Sequence, residues 1–340
     1  MIQVVTILMD SLRMLLAKRL FWVSIFMSAL IGLVYLSINL EPDGMTLLFG
    51  MEKFESDVIC SGNPEGEWFY ITLFTSYINR FWIGSGAILL ALISTVSVFP
   101  EFTRAGTIEI SLSKPVSRTG LFFVKYLGCM LFVALQSLLL AVLVFVAIGL
   151  RLEYWNWSIF WIVPVLTFAF SLIHSVQVLV GVVTKSSLVS LLVGVSFWVM
   201  VWMLQVSEQT MYLNSYAMVE EKMKVDWKSG EVTGLDEKQA EDLDAQGYYK
   251  LVKSVSAPFP KVRDVTLSLD QLVSFRDSGS ILEQIDLLAS VEKNDVQYKS
   301  QRAERRTRER HTMKYIYLSS LGFECVVLSL ACFIFVRRDY

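Results

Sequence analysis

Histidine occurs only twice in the 340 residues, at His174 and His311, and that scarcity excludes much of soluble-enzyme chemistry. A histidine-based nucleophile triad has almost nothing to be built from. There is no H-E-x-x-H, no cysteine pair at zinc spacing and no G-x-S-x-G, so neither a metal site nor a catalytic residue is expected. A phosphate-binding G-x-x-x-x-G-K-[ST] is missing as well. Its nearest approach, Gly181-Val-Val-Thr-Lys-Ser-Ser, has no glycine before Lys185 and follows an apolar run. Of the four cysteines (Cys60, Cys129, Cys325 and Cys332), three lie inside apolar runs, so no disulfide framework follows. Charge is scarce too. Ionised residues make up 18% of the chain, against about a quarter in soluble domains. The net charge of −2 gives no electrostatic footprint for nucleic acid.

What the chain has instead is apolar length: 54% hydrophobic residues and a mean hydropathy of +0.52. Six runs can cross a hydrocarbon core of about 30 Å, which takes about 20 helical residues. They are Phe21–Leu40, Phe81–Phe99, Tyr126–Leu150, a long one within Tyr154–Thr184, Ser186–Val206 and Tyr315–Val336. Asp, Glu, Lys and Arg are absent from the first five, and the sixth carries Glu324. Without water to satisfy the backbone, each run must be helical. The expected fold is an all-α integral membrane protein with six transmembrane helices, and the lipid bilayer is its first partner.

Lysine and arginine set the orientation. Arg13, Lys18, Arg19, Arg104, Lys114, Arg118, Lys125, Lys185, Arg337 and Arg338 fall on one side, and the opposite short loops are acidic and aromatic. Both termini are therefore expected in the cytoplasm of a multi-pass protein of the cytoplasmic (inner) membrane. The first apolar run is too long for a cleavable signal and reads as an uncleaved span. One feature runs against the pattern: Arg302, Arg305, Arg306, Arg308, Arg310 and Lys314 precede the sixth span on the outer side.

Residues 1–19 carry an apolar stripe (Ile2, Val5, Met9, Leu12, Leu16) at helical spacing, as an interfacial amphipathic helix does. The transmembrane part covers 1–206, an extracytoplasmic insertion 207–312, and the sixth helix with its tail 313–340. The insertion reads as mainly helical, with capping boxes at Asp236-x-x-Gln239 and Ser280-x-x-Glu283 and a short hairpin about Ser229-Gly230. Residues 41–80 read as an outer loop, with Arg80 at the outer end of the second span. Asn156-Trp-Ser158 matches a glycosylation sequon too close to the membrane to be used.

The segment 101–118 is polar and punctuated between two apolar runs. Gly106 permits a tight turn and Pro115 stops a helix, leaving Thr107 to Ser113 for one or two turns that carry Glu109. Inside the membrane, Glu324 is costly and must face protein or water. His174 can sit at similar depth. Substrate contact or a coupling pair is one role for the two; a neutral Glu324 bonded within the bundle is the stronger reading. Gln136 and Gln177 read as interhelical hydrogen-bond formers.

An acidic residue after a span (Glu101), then Gly106-Thr-Ile-Glu109, Lys114-Pro-Val-Ser-Arg118, and Lys125-Tyr126-x-Gly128 opening the next span resembles the permeases of the second type of ABC exporter, the ABC-two family. The resemblance covers residues 1–206 and 313–340. It implies that Glu101, Arg104, Gly106, Thr107, Glu109, Lys114, Pro115 and Arg118 form the coupling loop gripped by a separate ABC ATPase. It also implies a second permease copy or a relative, and a pathway lined by the second and fifth spans. ATP and Mg would then sit on the partner ATPase, with no cofactor in this chain. The charge-poor lining suits an amphipathic cargo for export. An alternative is a mechanical subunit that drives an extracytoplasmic protein through the insertion and moves no cargo.

Overall fold

The computed structural model describes residues 19–57, 59–103, 117–213, 222–225, 232–236, 243–273 and 310–338, with positions 13, 16 and 307. Among the described residues, six helices are long and apolar enough to span a membrane: α1 (Arg19–Leu36), α2 (Glu65–Phe102), α3 (Arg118–Arg151), α4 (Trp157–Thr184), α5 (Ser187–Tyr212) and α9 (Met313–Arg337). The chain is an all-α integral membrane protein. The insertion contributes α6 (Leu243–Ser256), α7 (Val262–Leu267) and α8 (Leu269–Leu272). The helix expected over residues 1–19 lies largely outside the described residues.

α4 is the axis of the bundle. Its most apolar window is 61% buried, against 17% for α5 and 28% for α1, and it packs against α2, α3, α5, α7 and α9. Side-chain caps fix three helix starts: Ser117 Oγ accepts from Gly120 N, Ser186 Oγ from Val189 N, and Thr312 Oγ1 from Tyr315 N. At the far end of α3, Arg151 donates to Leu36 O at 3.0 Å and Asn39 Oδ1 at 3.1 Å, satisfying a terminal carbonyl of α1.

The expected loop 41–80 is structured. β1 (Asn39–Glu41), β2 (Gly44–Leu47) and β3 (Glu52–Glu55) form an antiparallel meander. Gly44 is required there, because at φ +142° a Cβ would meet Phe54 O at 2.1 Å. The second span then opens at Pro64 rather than Phe81. Pro64 sits in its first turn with Glu65 and Glu67, a composition that suits a helix N-terminus as well as a loop. Arg80 consequently lies inside a helix, not at its end.

α1 and α2 are pinned at two levels. Tyr35 and Tyr70 each donate a hydroxyl to the other's carbonyl at 3.1 Å with rings stacked, and Ser94 Oγ reaches Leu20 O at 3.4 Å. Between these pins lie about 15 residues of α1 but about 24 of α2, a difference of about 13 Å of α-helical rise at ~1.5 Å each. α2 takes up part of the excess by π winding over Leu73–Gly86, where Ala87 N–H reaches back to Trp82 O. The insertion helix α7 packs against that segment.

In the insertion, β4 (Lys222–Val225) pairs antiparallel with β5 (Val232–Asp236), as the hairpin reading expects. Asp236 is the last residue of β5, and the positions after it, up to the first described helical residue Leu243, lie outside the described residues. Gln239 and the capping box at Ser280 lie outside the described residues. Asn156 is buried and its Oδ1 accepts from Ser158 N and Oγ, which leaves the sequon inaccessible.

Candidate functional site

Three places carry candidate residues, one at each end of the bundle and one in its middle. Of the coupling loop, Arg104, Gly106, Thr107, Glu109, Lys114 and Pro115 lie outside the described residues; Glu101 and Arg118 flank them. Glu101 sits in the last turn of α2, beside the fully buried Phe102. The Phe102 ring stacks on Phe335 of α9 with centroids 5.8 Å apart, and Lys125 Nζ of α3 lies 5.5 Å above it. On the other flank, Arg118 donates to Val336 O at 3.0 Å and Arg338 O at 3.3 Å. Arg338 in turn donates to Val182 O (2.6 Å) and Val183 O (2.9 Å), near the end of α4. Both flanks of the loop are thus fastened to the last turn of α9, and α9 to α4.

Midway along the bundle, the buried Glu324 carboxylate accepts from Tyr126 Oη at 2.7 Å, and Tyr126 Oη also lies 3.2 Å from Ser171 O. His174 is not in contact with Glu324. Its ring stacks on Phe170 and Tyr126, at 4.8 and 5.6 Å, while Nδ1 faces Gln177 Oε1 at 2.8 Å. Gln177 Nε2 continues to Leu92 O at 3.1 Å. The two candidate residues are therefore linked through Tyr126, a residue the sequence marks only as part of Lys-Tyr-x-Gly. Gln136 bonds Ser24 and Ser28 of α1, the interhelical role expected of it.

The third place was not legible as a site. Glu208, in the last turns of α5, is fully buried under the insertion. Its carboxylate accepts from His311 Nε2 at 2.6 Å, from Lys261 Nζ at 3.3 Å and from Ser256 Oγ. Arg310 Nε lies 4.0 Å away, and the same guanidinium grips Asp264 at 2.8 and 3.0 Å. Around this core, Gln205 donates to Pro260 O and accepts from Arg263 N, both at 2.7 Å, and Lys261 N reaches Ser320 Oγ at 2.9 Å. α5, α7 and α9 are joined into one polar clasp. The basic residues that disobey the orientation pattern include Arg310, and here it has two acidic partners.

Beside the clasp, α2, α5 and α7 enclose a cavity of about 240 Å³ lined by Arg80, Arg263, Trp198, Trp202 and Gln209, among others. Burial holds the Arg263 guanidinium below its usual pKa; Asp264 opposes that shift, while Arg310 and Arg80 add to it.

The model of the ABC-2 family transporter proteins matches residues 5–340. No curated protein and no solved structure matches the chain. Six membrane-spanning helices with this match across nearly the whole length identify the chain as a member of the ABC-2 transporter family, a membrane permease subunit of an ABC transporter.

Proposed function

We propose that this permease is the membrane half of an ATP-driven exporter in the cytoplasmic membrane, with both termini and the loop 104–116 facing the cytoplasm. A separate ATPase, carrying ATP and Mg, grips Thr107–Ser113. The observation that carries the reading is the fastening of both flanks of that segment to α9, through Phe102–Phe335 and Arg118–Val336. A push on the loop then moves α9 as a body, and with it α4, instead of being lost in a slack linker. A second copy or a relative covers the largely unburied α5, and substrate passes between α2 and α5.

One observation favours a second reading. α9 is a rod of 25 residues, about 37 Å at ~1.5 Å each, whose entry is held in the clasp by Arg310 and His311. Motion at its cytoplasmic end would therefore reach the insertion. A mechanical subunit acting on an extracytoplasmic protein would use the same rod without moving cargo.

The test of coupling is to disturb the loop and leave the bundle intact. Gly106→Val puts a β-branched residue where the sequence leads one to expect a tight turn, and Glu109→Arg reverses a charge at the proposed contact, each costing about 1–5 kcal/mol. Normal membrane levels, weaker co-purification of the ATPase and loss of ATP-dependent activity are expected, with Thr119→Ala behaving as wild type. Retention of the ATPase and full activity by both variants would sink the reading.

A further inference from the structure

The cavity between α2, α5 and α7 combines two arginines with aromatic walls, and one of those arginines is incomplete. Arg263 is held from behind: its backbone N–H donates to Gln205 Oε1 at 2.7 Å, which fixes α7 against α5. Its Nη1 is buried and has no hydrogen-bond partner among the described residues. The neighbouring carboxylate does not complete it: both oxygens of Asp264 accept from Arg310, at 2.8 and 3.0 Å, and neither is hydrogen-bonded to Arg263 Nη1. Arg80 lines the same cavity from α2, so a second positive charge faces the first. A buried guanidinium nitrogen without an acceptor among the described residues, with another cation on the same cavity, is an arrangement that an oxyanion relieves.

The remaining walls say what the oxyanion is attached to. Trp198 and Trp202 of α5 and Phe81 of α2 line the same space. Trp202 is 47% exposed and Phe81 70% exposed, so an apolar rim opens from the cavity onto the surface of the single chain, along the α2 and α5 face assigned to the substrate path. About 240 Å³ is the share of roughly eight liquid waters at ~30 Å³ each, enough for a phosphate and the head of a chain but not for a whole lipid. A hydrocarbon tail would have to leave over Trp202 and Phe81.

We infer that this cavity binds a phosphate-headed amphiphile, with the phosphate on Arg263 and Arg80 and the chain running out along Trp198 and Trp202. This names the class of molecule that the transport reading leaves open, and rests on that reading only for the step from binding to export. The binding assay contains no ATPase and no transport step, so its failure leaves the coupling assignment standing.

The full chain, purified in an uncharged maltoside detergent, is titrated with phosphatidic acid brominated on its acyl chain, reading quenching of tryptophan fluorescence. Saturable quenching is expected, with brominated diacylglycerol, which lacks the phosphate, quenching only weakly. Trp198→Phe with Trp202→Phe should remove the saturable component. Arg263→Gln should raise the half-saturating lipid fraction tenfold or more, as loss of a hydrogen bond to a charged group does, while Arg263→Lys recovers part of it. Should Arg263→Gln fail to fold, Arg80→Gln, on an exposed residue of α2, carries the same expectation. Equal quenching by diacylglycerol, or unchanged half-saturation in the arginine variants, overturns the site. Displacement of the lipid by inorganic phosphate at equal concentration overturns the amphiphile and leaves a free-oxyanion site.

Discussion

Replacing Glu208 with alanine would remove the one carboxylate on which Lys261 and His311 converge, and its cost can be worked from the burial of the groups left behind. Lys261 has 1% of its side chain exposed and Glu208 none. Asp264 cannot take over, since Arg310 already holds it. Stranding a buried charge in this way costs about 3–5 kcal/mol. Arg310 keeps its own partner in Asp264, so the stranded group is Lys261. The loss falls on the docking of α6 and α7, not on the bundle, because α1, α2 and α3 share no side chain with the clasp. At ~1.4 kcal/mol per decade, the locally open population rises about 10²–10⁴-fold.

Native-state trypsin digestion of the protein in nanodiscs reads that population at Lys250 and Lys253, which are exposed on α6 yet helical and thus resistant while docked. When opening and closing outpace cleavage, the cleavage rate follows the open fraction. Glu208→Ala should raise it by that factor. The double variant Glu208→Leu with Lys261→Met replaces the pair by apolar groups and should return close to wild type. A change of less than threefold in Glu208→Ala would show that the clasp does not hold the insertion down.

The spans were legible because the bilayer leaves little choice: about 20 apolar residues without charge must be helical. Where the helices outrun the apolar core, that signal ends. Pro64, Glu65 and Glu67 open α2 with the residues of a loop, because a helix N-terminus wants the same proline and acids. Glu208 lies just past the apolar run Ser186–Val206 and therefore read as part of the insertion. Its partners Ser256, Lys261 and His311 are some 50 to 100 positions away, and no local pattern ties them to it. One clue was available. The basic run before the sixth span violated the charge bias, and a violated bias calls for acidic partners nearby. For Glu324 the depth could be read from its place in the sixth apolar run, but the donor could not. Tyr126 looked like a motif residue, and only the packing of α3 against α9 shows its hydroxyl on the carboxylate.

Three further consequences can be measured. Glu324→Gln keeps an acceptor for Tyr126 Oη and should leave expression and activity near wild type, whereas Glu324→Leu leaves the hydroxyl only Ser171 O at 3.2 Å and should cost about 1 kcal/mol in detergent melts; loss of activity in the Gln variant with normal assembly would give Glu324 a functional charge. Gly32→Ala places a Cβ 2.8 Å from Leu143 Cβ, not at the flexible tip alone, so α1 must shift from α3 at about 1–3 kcal/mol; an unchanged melting temperature would refute that packing. The last prediction separates gripping from transmission. Arg118→Met keeps the stem of the side chain but deletes the donors to Val336 O and Arg338 O, so the end of α9 loses its hydrogen bonds to the start of α3 while Thr107–Ser113 keeps its sequence. The ATPase should then co-purify at the wild-type level, but its hydrolysis should no longer produce the dependent activity. Gly106→Val, by contrast, should lose the ATPase itself. If Arg118→Met sheds the ATPase as Gly106→Val does, the arginine belongs to the grip and not to the link. If it retains full activity, the Arg118 flank is not the route by which the push leaves the loop.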